Sequence, residues 1–234
     1  MITDVVVPHY GEDSLKERLV DSLKTEPVAN LIIIDNNKDN RGFTKGVNEG
    51  IRQSTAPYVW ILNNDAVVTP GALVALERRM QLSPKAGIIS SKICELENPD
   101  RIVHAGTGAV IPGYHKGGWE SAGDHAKPTR EKWVTFCSVL LRRRMIEEIG
   151  LLDENFFLIC SDSDYCYTAR HKGWEVWYEP QSKVLHPEKH GISRQVNETR
   201  NEKFIAILAD DQRKFMEKWG GQRFRDLDWE KYED

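Results

Sequence analysis

The chain has 234 residues, 40% hydrophobic and 29% charged, with a formal net charge of −4. That length supports one substantial core, and the mild acidity leaves no footprint for tight nucleic-acid binding, even with Arg142, Arg143 and Arg144 in a row. No apolar run approaches the ~20 residues that cross a bilayer, no leader-like pattern opens the chain, and Cys94, Cys137, Cys160 and Cys166 lack CxxC or zinc-finger spacing, so the expectation is a cytoplasmic protein with reduced thiols, at most peripheral to a membrane.

Residues 2–8 form a β-branched strand that Pro8 should break, followed by a turn at His9-Tyr10-Gly11-Glu12. Asp13 or Ser14 caps a helix over residues 15–24, with Leu15, Leu19 and Leu23 at helical spacing. Residues 31–34 are a second strand without polar alternation, ending at Asp35-Asn36-Asn37. A strand of that kind predicts a sheet covered on both faces, as in α/β folds. The polar loop from Lys38 runs into a helix ending near Ser54-Thr55; Gly42 and Gly46 allow close backbone approach to a ligand, and Arg41 and Lys45 supply charge for phosphate.

Residues 58–68 are the most informative stretch. An apolar, β-rich run stops abruptly at Asn63-Asn64-Asp65, bounded by Pro57 and by Pro70-Gly71. Strand ends in open α/β sheets are where ligands sit, and an Asp flanked by amide oxygens suits a hard divalent cation that shares a phosphate. Asn-Asn-Asp is equally ordinary turn punctuation, and the stretch alone does not choose between the two.

A helix over residues 71–81 and a short strand over residues 86–90 follow. From Cys94 to Glu131 the pattern loosens into glycine-rich sequence with Trp119, which suits hairpins and either a loop over a substrate or a poorly ordered connection. Strand character returns over residues 133–141, then a short helix over 144–149 stopped by Gly150. Ser161-Asp162-Ser163-Asp164 opens a helix that ends at Gly173; Ser161 or Asp162 can cap it, which accounts for one carboxylate and not two. A strand over residues 174–178, a loop through His186, His190 and Ser193, and an amphipathic helix over residues 197–219 complete the pattern.

Taken in order, Val5-Val6-Val7-Pro8-His9-Tyr10, Ile32-Ile33-Ile34-Asp35-Asn36, Asn40-Arg41-Gly42-Phe43, Leu62-Asn63-Asn64-Asp65, Asp162-Ser163-Asp164 through Arg170, and His186 with Ser193 resemble the family-2 inverting glycosyltransferases, in particular their rhamnosyltransferase-like branch. The resemblance covers roughly residues 2–195. It implies an α/β, Rossmann-like GT-A fold: a central mixed, mostly parallel sheet flanked by helices over residues 1–200, with a nucleotide-sugar half to about residue 95 and an acceptor half beyond it. Residues 201–234 would be a helix and charged tail packed on the same domain.

The resemblance also implies roles. Asp35 would bond the nucleobase, Pro8 and Tyr10 would line the base pocket, and Arg41 and Gly42 would pass the base, ribose or diphosphate. Asn64-Asp65 fills the place of the family's DXD-like motif, so Asp65, with His186, would hold Mg²⁺ or Mn²⁺ on the donor diphosphate. Asn63 stands where the motif's first carboxylate is usual, which leaves its role and that of His190 open. Asp162 would be the catalytic base, with Ser161 in place of the family's Glu; Asp164 would support it, pairing with Arg170. Apart from the resemblance, the variable segment over residues 101–132 is where acceptor contacts are expected, with Trp119 either a stacking surface or an exposed loop aromatic.

The donor would be a nucleotide-sugar, UDP- or dTDP-linked by preference, and the acceptor a hydroxyl of a glycan, a lipid-linked saccharide or another molecule, with a modified nucleic-acid base left open. A sugar nucleotidyltransferase would more often carry a Gly-rich phosphate loop with Lys after the first strand, and none follows Pro8. A degenerate sugar-nucleotide-binding module is the non-enzymatic alternative.

Overall fold

The structure, a computed structural model, describes residues 1–107, 115–118, 120–187 and 201–220. Its strands are β1 (Thr3–His9), β2 (Asn30–Asp35), β3 (Tyr58–Leu62), β4 (Val67–Val68), β5 (Ala86–Glu95), β6 (Ile102–His104), β7 (Thr129–Arg130), β8 (Ser138–Arg142) and β9 (Glu175–His186). They form one sheet in the order β2-β1-β3-β8-β5-β9-β4, with β6 paired to β5 and β7 to β9. β2, β1, β3, β5 and β9 share one direction, while β8 enters antiparallel between β3 and β5. The helices are α1 (Asp13–Ser22), α2 (Phe43–Gln53), α3 (Ala72–Leu82), α4 (Arg143–Ile149), α5 (Ser161–His171) and α6 (Glu202–Trp219).

Strand alternation divides the interior into two cores. Val5, Val7, Trp60 and Leu62 point to the side covered by α1 and α3, with Leu19, Leu73, Leu76 and Met80. Val6, Val59 and Ile61 point to the other side, with Val47 and Ile51 of α2, Met145 and Ile146 of α4, and Phe215 and Trp219 of α6. A period of two in the strands and of 3.6 in the helices produces this layering, and burial of large apolar side chains stabilises each layer by ~1.5–3 kcal/mol per residue.

Several elements depart from the expected pattern. β1 does not break at Pro8: it pairs with β2 as far as His9, while its register with β3 stops at Val6. Proline is tolerated where only one neighbour continues. β2 is an edge strand, so Leu31 and Ile33 are exposed and of its apolar run only Ile34 is fully buried. β5 and β9 are longer than their short apolar runs predict, and the register shift at Ser91/Lys92 passes over residues 180–182, which accommodates Pro180. Residues 133–137 are irregular and, apart from the half-buried Thr135, buried, and only β8 is strand there. Neither Ser161 nor Asp162 caps α5; both lie inside the helix, and its N-cap is Cys160 in the left-handed region at φ 65°. α6 starts at Glu202, where Asn201 accepts the hydrogen bond of Phe204 N. No helix among the described residues is long and apolar enough to cross a membrane.

Candidate active site

The strands that share a direction carry their C-terminal ends to one edge of the sheet, and a cavity of about 690 Å³ opens there. Pro8 lies in the last residues of β1 and Tyr10 follows it, Asn36 and Asn40 follow β2, Asn63, Asn64 and Asp65 follow β3, and His186 ends β9. Residues 157–163 form a further stretch of wall, and Phe204, Gln212, Phe215 and Met216 of α6 complete the lining.

Asn63-Asn64-Asp65 is at once a turn and a pocket wall. Asn63 O accepts from Ala66 N at 3.1 Å, and Asn63 N donates to Cys137 O at 2.9 Å. The Asn64 amide donates to Tyr10 O at 2.9 Å and lies 3.0 Å from His9 Nδ1. His9 Nε2 lies 3.0 Å from Asp13 Oδ1 and 3.2 Å from the Asn37 amide nitrogen. His9 is therefore a buried strut between the ends of β1 and β3. Its position inside a sheet is invisible in a sequence where it reads as part of a turn.

Asp65 is different from its neighbours. Its Oδ1 is buried with no hydrogen bond, and a basic group, His186 Nε2, lies 3.2 Å away. Burial works against its ionisation, but the facing His186 outweighs burial and holds the carboxyl below its ordinary range. A buried carboxylate oxygen that makes no aligned hydrogen bond and has an imidazole nitrogen 3.2 Å away, at a polar cavity wall, fits a divalent cation that completes its shell with phosphate and water. Among the described residues no set of three or more His, Cys, Asp and Glu gathers into an all-protein metal cage.

Asp162 lines the same cavity from the first turn of α5. Its Oδ1 accepts from Ser163 N at 2.7 Å. Burial pushes its carboxyl up to about 6, and the amides of Ser163 and Phe136 only moderate that rise. Ser161 in place of a second carboxylate removes a like charge, yet desolvation alone poises the group near neutrality.

Other candidates fall elsewhere. Asp35 is exposed outside the cavity wall, where its Oδ1 accepts from Asn37 N at 2.8 Å. Arg41 is likewise off the wall, paired with Glu49 at 2.6 Å rather than turned toward a phosphate. Gly42 lines the cavity at φ 88°, and a Cβ there would sit 2.5 Å from Phe157 O. Its constraint is thus contact with Phe157. Gly46 packs α2 onto Pro8 and Asn36 rather than onto a ligand.

Asp164 is buried away from the cavity, and its partners are Lys218 Nζ at 2.8 Å and Trp219 Nε1 at 2.6 Å instead of Arg170. Six positions along a helix leave Asp164 and Arg170 on different faces, whereas α6 brings its partners directly. Burial raises the Asp164 carboxyl, against the pull of Lys218. Trp119, His190 and Ser193 lie outside the described residues.

His115 also lines the cavity, with Trp133 edge-on to its ring. Its Nδ1 is 2.7 Å from Nδ1 of the buried His104. Burial depresses both imidazoles, which favours their neutral forms. Glycine-rich surroundings concealed His115 as a site residue, and the only signal was its proximity to a second histidine eleven positions earlier.

A family model described as "Glycosyltransferase like family 2" matches residues 3–207. The chain is 26% identical, over 182 residues, to the N-acetylglucosaminyl-diphospho-decaprenol L-rhamnosyltransferase of Mycobacterium tuberculosis; the match covers 66% of this chain and 58% of that protein. The chain thus spans little more than half the length of that relative. Among solved structures it is similar to GalNAc-T7 with UDP, GalNAc and Mn²⁺, at a TM-score of 0.64 and 16% identity over 79% of this chain and 43% of that one. It is also similar to the mannosyltransferase PcManGT of Pyrobaculum calidifontis in complex with GDP-Man and Mn²⁺, at a TM-score of 0.56 and 15% identity over 81% of this chain and 58% of that one. The fold is GT-A.

Proposed function

The chain belongs to the glycosyltransferase-like family 2, and from that premise we propose that its cavity transfers a hexose or deoxyhexose from a nucleoside-diphosphate sugar to an acceptor hydroxyl, with inversion. The observation that carries this reading is the meeting of Asp65, His186 and Asp162, from three distant parts of the chain, on the wall of one cavity.

Asp162 accepts the proton of the acceptor hydroxyl. The freed oxygen forms a bond to the anomeric carbon as the bond from that carbon to the diphosphate oxygen breaks, and the nucleoside diphosphate departs from the opposite face. A carboxylate poised near 6 is a stronger base than an exposed one and is still largely ionised at neutral pH. Asp65 and His186 would hold Mg²⁺ or Mn²⁺. When bound, that cation neutralises the charge growing on the leaving diphosphate. Asn36, Asn40 and the Asn63-Asn64 turn offer uncharged hydrogen-bonding groups to ribose and phosphate, and Pro8 and Tyr10 give the nucleobase a flat surface.

Asp35, opposite His9 at the end of β2, reaches the base only from the rim. The donor is UDP- or dTDP-linked, in keeping with the UDP of one structural neighbour, while the other holds GDP-Man. Phe204, Phe215, Met216 and Ile159 give the remaining wall an apolar surface, which suits a lipid-linked saccharide of the kind named for the mycobacterial relative.

Calorimetric titration of the protein with a panel of UDP-, dTDP- and GDP-sugars, with Mn²⁺ and then with EDTA, tests the reading. Binding of at least one donor that disappears on chelation is expected. Absence of nucleotide binding under every metal condition would overturn it.

A further inference from the structure

We infer that Asp211, on α6, is a positioning residue that fixes the approach of Asp162 to the cavity; the inference rests on the reading of Asp162 as the base. Asp211 is 1% exposed. Its Oδ1 accepts from Phe157 N at 2.8 Å, and its Oδ2 accepts from Leu158 N at 2.8 Å and Ile159 N at 3.0 Å. Three successive amides turned to one carboxylate form a concave cradle for a negative charge. Here the charge comes from a helix about fifty residues further along, and the cradled backbone is cavity wall.

The same wall is held from the donor side. Phe43 N donates to Phe157 O at 2.8 Å, and Gly42 leaves room for that carbonyl where any side chain would collide. Residues 157–159 are therefore clamped between α2 and α6. The next residue, Cys160, sits in the left-handed region at φ 65°. A non-glycine residue stays there only when its surroundings over-determine it. Asp164 N then donates to Cys160 O at 2.8 Å, starting α5. The clamp thus sets the direction in which α5 begins, and Asp162 is in its first turn.

Asp211 is not needed to keep α6 in place. Phe215 and Trp219 are buried in the core, Lys218 bridges Asp153 and Asp164, and the Trp219 indole bonds Asp164. These anchors lie one to two turns beyond Asp211, so the helix stays docked when its carboxylate is removed. What is lost is the hold on residues 157–159, and a displacement of about 1 Å at a reacting group lowers a rate by about a hundredfold.

The test compares Asp211→Ala, Asp211→Asn, Asp162→Asn and Lys214→Met, the last removing a contact of α6 to Asn155 O. The kinetic probe is Mn²⁺-dependent hydrolysis, with water as acceptor, of the UDP-, dTDP- or GDP-sugar that binds best. The second probe is the carboxyl titration of Asp162 followed by ¹³C NMR. Asp211→Ala is expected to lower kcat about tenfold to a hundredfold with donor KM within about threefold, and to move the Asp162 midpoint down toward the ordinary carboxylate range as the wall opens. Asp211→Asn, whose amide oxygen still accepts from the wall, should lie between Ala and wild type, and Lys214→Met should match wild type.

An unchanged Asp162 titration in folded Asp211→Ala or, if that variant does not fold, in Asp211→Asn overturns the inference. So does wild-type kcat in either variant beside an inactive Asp162→Asn. If Asp162→Asn itself hydrolyses donor normally, the base assignment is what fails.

Discussion

Asp4 and Asp65 sit at opposite ends of the same sheet, the first buried and the second with a buried Oδ1, yet their surroundings could hardly differ more. Asp4, near the start of β1, uses both oxygens: Oδ1 accepts from Asn30 Nδ2, and Oδ2 accepts from Ser54 Oγ and from the amides of Thr55 and Ala56. Burial works against its charge, but those donors outweigh it and hold the carboxyl below its ordinary range. Asp65, after β3, has an Oδ1 without a hydrogen bond, facing a histidine across a cavity wall. Asp162, on the wall of the same cavity, is pushed up to about 6. A buried acid whose oxygens are all satisfied locks structure; one left with an open oxygen at a cavity is available to a ligand or a proton.

The sharpest way to break this contrast is to remove the open carboxylate. Asp65→Ala is expected to weaken Mn²⁺-dependent donor binding by about a hundredfold or more while leaving thermal unfolding near wild type, read by calorimetric titration and a melt. Donor affinity equal to wild type would put Asp65 in the same structural class as Asp4.

The reciprocal change acts on the fold. Asp4→Ala leaves two amides, a hydroxyl and a side-chain amide without their acceptor, which should cost about 3 kcal/mol in denaturant unfolding. Donor KM and kcat of the folded fraction should stay within about twofold of wild type, because the site is at the other end of the strands.

pH separates the two ends without mutation. Asp162 has a raised pKa and must be ionised to accept a proton, so kcat should fall about tenfold per unit below pH ~6. Asp4 has a lowered pKa, so its contribution to stability is complete above its ordinary value of 3.8 and is lost as pH falls through the depressed native value. Between pH 5 and 7 activity should therefore drop while the melting temperature contributed by Asp4 holds. A melting temperature that tracks kcat through this window would show that activity is lost with the fold.

The smallest effect is expected at the rim. Asp35→Ala removes an exposed carboxylate whose Oδ1 bonds Asn37 N, and donor KM should rise by only about threefold, since an exposed hydrogen bond contributes about 0.5–1.5 kcal/mol at most. A loss as large as that of Asp65→Ala would mean that Asp35 turns into the cavity when a nucleotide binds.

Much of this arrangement is legible in the amino-acid sequence, and the division has a physical basis. Apolar strands that stop at polar clusters announce sheet ends, so Asn63-Asn64-Asp65 and Asp162 stand out from local pattern. Contacts between distant elements leave no such mark. Asp211 is one acid in a charged helix, and its three amide partners in residues 157–159 are backbone groups with no side-chain signature. His9 reads as turn and is a buried strut. The edge position of β2, which exposes Leu31 and Ile33, depends on sheet order, and that order follows from the whole chain rather than from the strand's own residues.

The central claim is that Asp162 is the base of a sugar transfer performed in this cavity. Single-turnover transfer by Asp162→Asn, with donor and Mn²⁺ saturating and donor affinity measured on the same sample, tests it most directly. Donor affinity equal to wild type with transfer slowed by about a hundredfold to ten-thousandfold is the predicted result, and transfer within about threefold of wild type would contradict it.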